Sequence, residues 1–339
     1  MQSDSLYPGV CDFHVHVGER IGGLELRDDF AALDKTARRQ GIAAIGAFVT
    51  EEPGQSLSDK FRRMQADARQ HFGGHVHWHL TPTSATAEEL LPLLEEGCDL
   101  KFYTTYKQSG IFSSYVQIGR WMEALADPKP RFLVHCEDDA TIEKASREHP
   151  FRTPFDHTLR RPEIAEVIAV EKVLDLALRH QHPVHIVHVS TPRAALLIRE
   201  AKLDNPLISC ETAPQYLFHS ADRLRGRDAH RWLCTPPYRA ENSRGQLVEL
   251  LQDGVFDILA SDHCPFTDAD KDRHKDSPEL VPSGISGLES LFASGYRHLV
   301  QTGRISLERL VGLCCLRPAE LMQVGAESRC TLERLLGEE

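Results

Sequence analysis

A chain of 339 residues could hold two small domains, yet the same length suits one eight-stranded α/β barrel with modest insertions, for which about 250 residues are typical. With 41% apolar and 26% charged residues it has the make-up of an ordinary globular protein, which excludes a fibrous or disordered chain. The formal net charge of −11 repels phosphate backbones and anionic lipid, so the expected partner is a small-molecule substrate rather than nucleic acid or membrane.

Residues 1–8 are polar and lack the basic and apolar regions of a secretion signal, and the longest apolar run, residues 42–49, is far below membrane-spanning length. The nine cysteines are odd in number, scattered and without a CxxC pair, which points away from a disulfide framework and towards a reducing cytoplasm.

Short apolar, β-branched runs alternate with longer amphipathic stretches, the pattern of βα units around a parallel sheet. Eight runs are predicted as strands: residues 10–17, 41–49, 75–81, 98–103, 131–135, 184–188, 207–212 and 256–261. Helical spacing of apolar residues recurs between them, at 28–40, 87–96, 163–180 and 242–253. The expected architecture is one (β/α)8 TIM barrel domain over residues 1–339. In such barrels reacting groups collect at the C-terminal ends of the strands. The long stretch 267–284, charged and Pro-containing, is expected to be an irregular active-site loop.

The first run reads Cys11-Asp12-Phe13-His14-Val15-His16, and strand alternation predicts that Asp12, His14 and His16 share one face, where two imidazoles could grip one ion. With 18 histidines, roughly one such HxH arises by chance, so the motif needs support. His75, His77 and His79 in the third run illustrate the hazard and are read as packing or surface groups. In the fourth run Lys101 stands in an apolar strand, and a buried ammonium demands a lowered pKa, a carboxylate partner or covalent conversion to a carbamate. The fifth run ends at His135, the sixth at His188, and Asp262 follows the eighth. His185 is expected to point away, and with His180 and His182 to be a helix-end or packing group. Nitrogen and oxygen donors gathered from five strand ends suit zinc, with manganese, cobalt or iron as other occupants.

At this level the chain resembles the cyclic amidohydrolases, the hydantoinases, dihydropyrimidinases, allantoinases and dihydroorotases, from residue 8 to about residue 324. Pro8-Gly9-Val10-Cys11-Asp12-Phe13-His14-Val15-His16 is similar to their opening metal motif, and Asp28-Asp29-Phe30 to the start of their first helix. Glu52-Pro53-Gly54-Gln55-Ser56-Leu57 resembles a dihydropyrimidinase segment. Leu100-Lys101-Phe102-Tyr103-Thr104-Thr105-Tyr106-Lys107 resembles the hydantoinase stretch that carries a carboxylated lysine and, five residues on, a catalytic tyrosine. Glu211-Thr212-Ala213-Pro214-Gln215-Tyr216-Leu217 and Ser261-Asp262-His263-Cys264-Pro265-Phe266 are also closer to hydantoinase than to dihydroorotase segments.

The resemblance implies one divalent ion, zinc for preference, at His14, His16 and Asp262 and a second at His135 and His188. Carboxylated Lys101 and a hydroxide would bridge them, Tyr106 would donate to the developing oxyanion, and Asp262 would move the proton. It further implies hydrolysis of a hydantoin- or dihydropyrimidine-type ring by a homo-oligomer. Two alternatives stand beside it, a dihydroorotase or other cyclic imide hydrolase and a non-catalytic scaffold relative.

Three departures are visible. Gly18 stands where dihydroorotases carry the arginine of HxHxR, and Arg20 is the nearest cation that could reach in from a loop. Thr235-Pro236-Pro237 and Pro282-Ser283-Gly284 replace the usual SPP and PNG of the substrate loops. About ten residues precede Cys11 and the tail ends soon after Pro318-Ala319-Glu320, so the family's flanking β-sandwich is expected to be mostly or wholly missing.

Overall fold

The structure is a computed structural model that describes all residues except 1–4, 22, 53, 128, 326–327 and 339. Half of the polar start, and Pro53 of the Glu52 to Leu57 segment, thus lie outside the described residues. Eight parallel strands form one sheet in chain order: Val10–Val15, Ile42–Thr50, His75–Thr81, Asp99–Tyr103, Phe132–His135, Val184–Ile186, Ile208–Thr212 and Ile258–Leu259. Closure falls between the last and the first. There the bridge Val15 to His263, the bond from His16 N to His263 O (2.8 Å) and that from His263 N to His14 O (3.2 Å) complete the ring.

All eight predicted strands are present, and the third matches its predicted bounds. The eighth is much shorter than 256–261, because its pairing with the seventh stops at Leu259 and the chain then turns to carry Asp262 over the rim. The first predicted helix begins at Phe30, where the Asp29 side chain caps it by accepting from Ala32 N at 2.7 Å, and the helix Glu163–His180 fills its predicted span. Residues 267–284 are not irregular throughout. They contain the helix Asp268–Asp272 and the 3-10 turn Pro278–Leu280, pinned when Lys271 Nζ and Gly284 N both donate to the Leu233 carbonyl, at 3.1 and 2.9 Å.

Helices cover the outside of the sheet over a core that includes Val10, Val15, Phe30, Ile45, Phe61, Leu100, Phe102, Phe132, Val184 and Leu259. A second, smaller core, with Cys11, Phe13, Ala44, Phe48, Leu133, Val187, Ile258 and Ala260, fills the barrel interior. This division overturns the expected alternation in the first strand. A register shift between Asp12 and Val15 puts Phe13 among the interior rings of His79 and His185, with centroids 4.7 and 5.1 Å away. Asp12 turns instead to the eighth-strand side and accepts from Ser261 N at 3.0 Å.

Outside the barrel, among the described residues, the strands are two pairs, Tyr7–Pro8 with Arg329–Cys330 and Arg20–Ile21 with Leu24–Glu25. Among the described residues, no helix is long and apolar enough to cross a membrane. All nine cysteines are buried.

Candidate metal centre

The strand ends bring the six residues singled out in the sequence to one part of the barrel. His14 and His16 leave the first strand, Lys101 lies within the fourth, His135 ends the fifth, His188 follows the sixth and Asp262 follows the eighth. Side-chain atoms of His14, His16 and Asp262 that could ligate a metal all lie within 4.8 Å of one another. The rings of His14 and His188 have centroids 5.4 Å apart, and those of His188 and His135 are 4.5 Å apart, so the imidazoles form a continuous arc.

Burial keeps the His14, His135 and His188 imidazoles neutral. Burial lowers His14 to about 3 and His135 to about 4, and it drives His188 well below its ordinary value. In His14 the Nδ1 proton goes to Glu211 Oε1 at 2.5 Å, which leaves the Nε2 lone pair 3.2 Å from Asp262 Oδ1. His135 donates Nε2–H to Glu137 Oε2 at 2.8 Å, and His16 Nδ1 lies 3.4 Å from Glu19 Oε2. Carboxylates behind metal-binding histidines fix tautomer and ring plane in this way.

Lys101 is 1% exposed, and its ammonium has no hydrogen-bond partner. Its Nζ sits 5.1 Å from the ring centres of both Phe48 and Tyr103. Burial pushes its pKa down, only partly opposed by Glu211 and Asp262, while burial and Glu211 push the Asp262 carboxyl well up. The Nδ1 of His188 also lacks a partner, and the nearest donor to Asp262 Oδ2 is Gln215 Nε2 at 3.5 Å. Lone pairs face a carboxylate here with no donor between them, an arrangement that repels itself until a cation or covalent modification completes it. These residues therefore fit a metal centre.

Tyr106 stands beside this arc, its ring centroid 5.2 Å from that of His135. Burial pushes its phenol pKa up, so the hydroxyl keeps its proton for donation. Among the described residues, three of the five non-glycine ones at positive φ are Tyr106 (70°), His188 (38°) and Asp262 (52°), and such strain, about 1–3 kcal/mol per residue, persists only where neighbours over-determine the conformation.

Sequence reasoning missed several supports. His185 does not point away: it is fully buried, with Nε2 3.1 Å from Glu211 Oε2 and Nδ1 2.8 Å from Ser209 Oγ. Glu211 thus joins His185 to His14, and Glu137 and Glu19 serve His135 and His16. The signal for Glu211 and Glu137 was a lone acid in or just after an apolar strand, the same oddity that marked Lys101. His180 ends its helix, and buried His182 packs on Phe132 with centroids 4.2 Å apart, as expected. Arg20 is exposed and donates to Gly23 O at 3.1 Å, whereas Gly18 has φ +63°, a conformation that an arginine adopts only under strain. His157 Nε2 lies 3.1 Å from Thr235 Oγ1, and the Leu233 carbonyl ties this segment to Gly284, so the two segments that depart from SPP and PNG are joined.

A second His/Asp group, His77, His79 and Asp99, lies at the opposite, N-terminal end of the barrel. There Arg131 Nη1 reaches Asp99 Oδ2 at 3.2 Å and His77 Nε2 reaches it at 2.8 Å, while His79 Nε2 bonds the Phe13 carbonyl at 3.0 Å. Gly46 permits that last approach, since a Cβ there would strike both Phe13 O and the His79 ring. A cavity of about 460 Å³ opens beside this group, lined in part by Arg69, His75, His77 and Trp78.

No family model matches the chain. Curated relatives include the dihydroorotase of Bacillus caldolyticus, 27% identical over 325 residues that span 93% of this chain and 72% of that protein. The dihydroorotase of Lactiplantibacillus plantarum is 29% identical over 326 residues, 95% of this chain and 74% of that one. Among solved structures, a dihydropyrimidinase from Brevibacillus agri superposes with a TM-score of 0.87 at 26% identity, covering 94% of this chain and 71% of the other. A D-hydantoinase gives 0.87 at 25% identity, over 93% and 71%. The eight-stranded parallel barrel and its rim of metal-type donors define a barrel hydrolase. By sequence and fold together, the chain is similar to the cyclic amidohydrolases of the hydantoinase and dihydroorotase type.

Proposed function

We propose that His14, His16, Lys101, His135, His188 and Asp262 hold two divalent metal ions, for which zinc suits the donors, and that Lys101 serves as a carbamate. The observation that carries this is the buried, unpartnered Lys101 amine between neutral imidazoles and Asp262. The Lys101 ammonium sheds one proton and the neutral amine then adds carbon dioxide with loss of a second, which turns an ill-placed cation into an anion that could ligate divalent metal.

The chain is a hydrolase acting on C–N bonds in cyclic amides, and we read its substrate as a hydantoin- or dihydropyrimidine-type ring. When bound, the metal pair supplies hydroxide near neutral pH and polarises the ring carbonyl. Tyr106 donates its phenol proton in a hydrogen bond to the carbonyl oxygen as negative charge grows there. Asp262 takes the proton released on attack and passes it to the leaving ring nitrogen, which yields an open-chain acid such as an N-carbamoyl amino acid. Residues 1–339 act in this reading as one catalytic barrel, in the cytoplasm, as a homo-oligomer.

Dihydroorotate is the second substrate reading, favoured by the names of the curated relatives and opposed by Gly18. Metal analysis combined with assays on hydantoin, dihydrouracil, dihydroorotate and allantoin tests both. Two metal equivalents and turnover of the first or second ring are expected. A metal-free preparation that no divalent ion activates, or inertness towards all four rings, would sink the proposal.

A further inference from the structure

Behind His135 and Tyr106 stands one cation that the reaction scheme leaves unused. Arg161 caps the short helix Asp156–Arg160, just before Pro162 and the long helix Glu163–His180. Its Nε lies 3.1 Å from both carboxylate oxygens of Glu137, and its Nη2 donates to Oε2 at 2.7 Å. The same Oε2 takes the His135 proton at 2.8 Å, so the acid that sets the His135 ring plane is itself set by the guanidinium. Arg161 Cζ lies 5.1 Å from the centre of the Tyr106 ring, which in turn faces His135. Arg161, Glu137, His135 and Tyr106 therefore form a closed loop of contacts.

Arg161 is not free to shift. Its carbonyl accepts from Arg239 Nη1 at 2.6 Å, and Arg239 is tied to Glu166 Oε2 (3.0 Å) and to Ser190 Oγ (2.9 Å), the latter two residues beyond His188. A planar fork is required at this point. One face lies over an aromatic ring while the Nε–Nη2 edge meets a carboxylate, a planar combination that an ammonium lacks.

We propose that Arg161 is a positioning residue shared by both halves of the centre: through Glu137 it holds His135 in ligating orientation, and through the Tyr106 ring it holds the phenol over the reacting carbonyl. The inference rests on the roles assigned above to His135 and Tyr106. An Arg161 that merely stabilised the fold would leave metal affinity and turnover intact in the folded variant.

The test uses the full chain with Arg161→Lys and Arg161→Ala. Cobalt(II) titration of the metal-stripped protein, followed by visible absorption, reports the ligand field without turnover. Arg161→Lys is expected to bind cobalt about 10-fold to 100-fold more weakly and to lose kcat in a similar proportion while KM changes little. Methylguanidinium is expected to restore part of both losses in Arg161→Ala. Arg161→Lys with unaltered cobalt affinity and kcat overturns the proposal, and so does a loss that follows melting temperature alone. Should the unmutated protein open no ring, the proposed function fails, and the cobalt titration still decides on Arg161. Should Arg161→Ala fail to fold, Arg161→Lys carries the decision.

Discussion

Two clusters of imidazole and carboxylate occupy opposite ends of one barrel, and they differ in what completes them. At the base, Asp99 is answered from within the chain. Burial would raise its carboxyl, but His77 and Arg131 hold it below the usual carboxylate range. At the rim, Asp262 faces a histidine lone pair, and the nearby amine of Lys101 has no hydrogen-bond partner. The same residue types thus give a carboxylate that protein donors already answer in one place and one left largely unanswered in the other. Geometry alone does not separate them, since both place potential ligand atoms within 4.8 Å of one another. The deciding factor is whether a protein cation already occupies the carboxylate, because a divalent ion beside Arg131 would have to displace or endure a like charge.

Lys101→Ala is the sharpest way to break this contrast. It should remove metal and lower kcat by at least about 10³-fold, equal to roughly 4 kcal/mol of transition-state stabilisation, with partial rescue by a short carboxylic acid. Full activity in that variant would eliminate the carbamate. At the base, Asp99→Asn should instead destabilise the fold by about 3 kcal/mol in denaturant titration, since it leaves Arg131 without its counter-charge, while metal content stays unchanged. Loss of a metal equivalent there would erase the distinction between the two ends.

Tyr106→Phe should lower kcat by about 10²-fold at normal metal content, because the phenol acts on charge formed only during reaction. Metal loss in this variant would contradict that role. Glu211→Gln should weaken metal binding by about tenfold, through a His14 ring less firmly oriented. The smallest effect concerns pH. A folded-state pKa below the unfolded one means that the contribution of Asp99 is complete above about pH 4 and is lost as pH falls through its lower folded value. Acid unfolding should therefore be less steep in Asp99→Asn, and an identical acid limb in both proteins would count against the pairing.

Much of this could be read from residue order. An isolated lysine in an apolar strand is anomalous wherever it falls, and so are histidines at successive strand ends, which made Lys101, His135 and His188 visible before any fold was known. The same logic applied to Glu137 and Glu211 would have found the carboxylates behind the histidines, because a lone acid in or beside an apolar strand needs a partner just as a lone amine does. His185 escaped because counting back by two from His188 assumes an unbroken strand, and the sixth strand ends at Ile186, before the positive-φ turn at His188. Asp12 escaped for a related reason, the register shift beside Phe13.

Hydrophobic period and strand-helix alternation are local properties, so the sequence by itself determined the barrel, the order of its elements and the six rim residues. Which groups meet across the interior was decided only by the tertiary structure. His14 finds Glu211 across 197 residues, His263 finds Asp28 across 235, and Arg131 rather than an ion answers Asp99. Closing a sheet into a ring brings residues together by shear and bulge, and neither the stagger of the strands nor the place of a bulge is written in the spacing of apolar side chains.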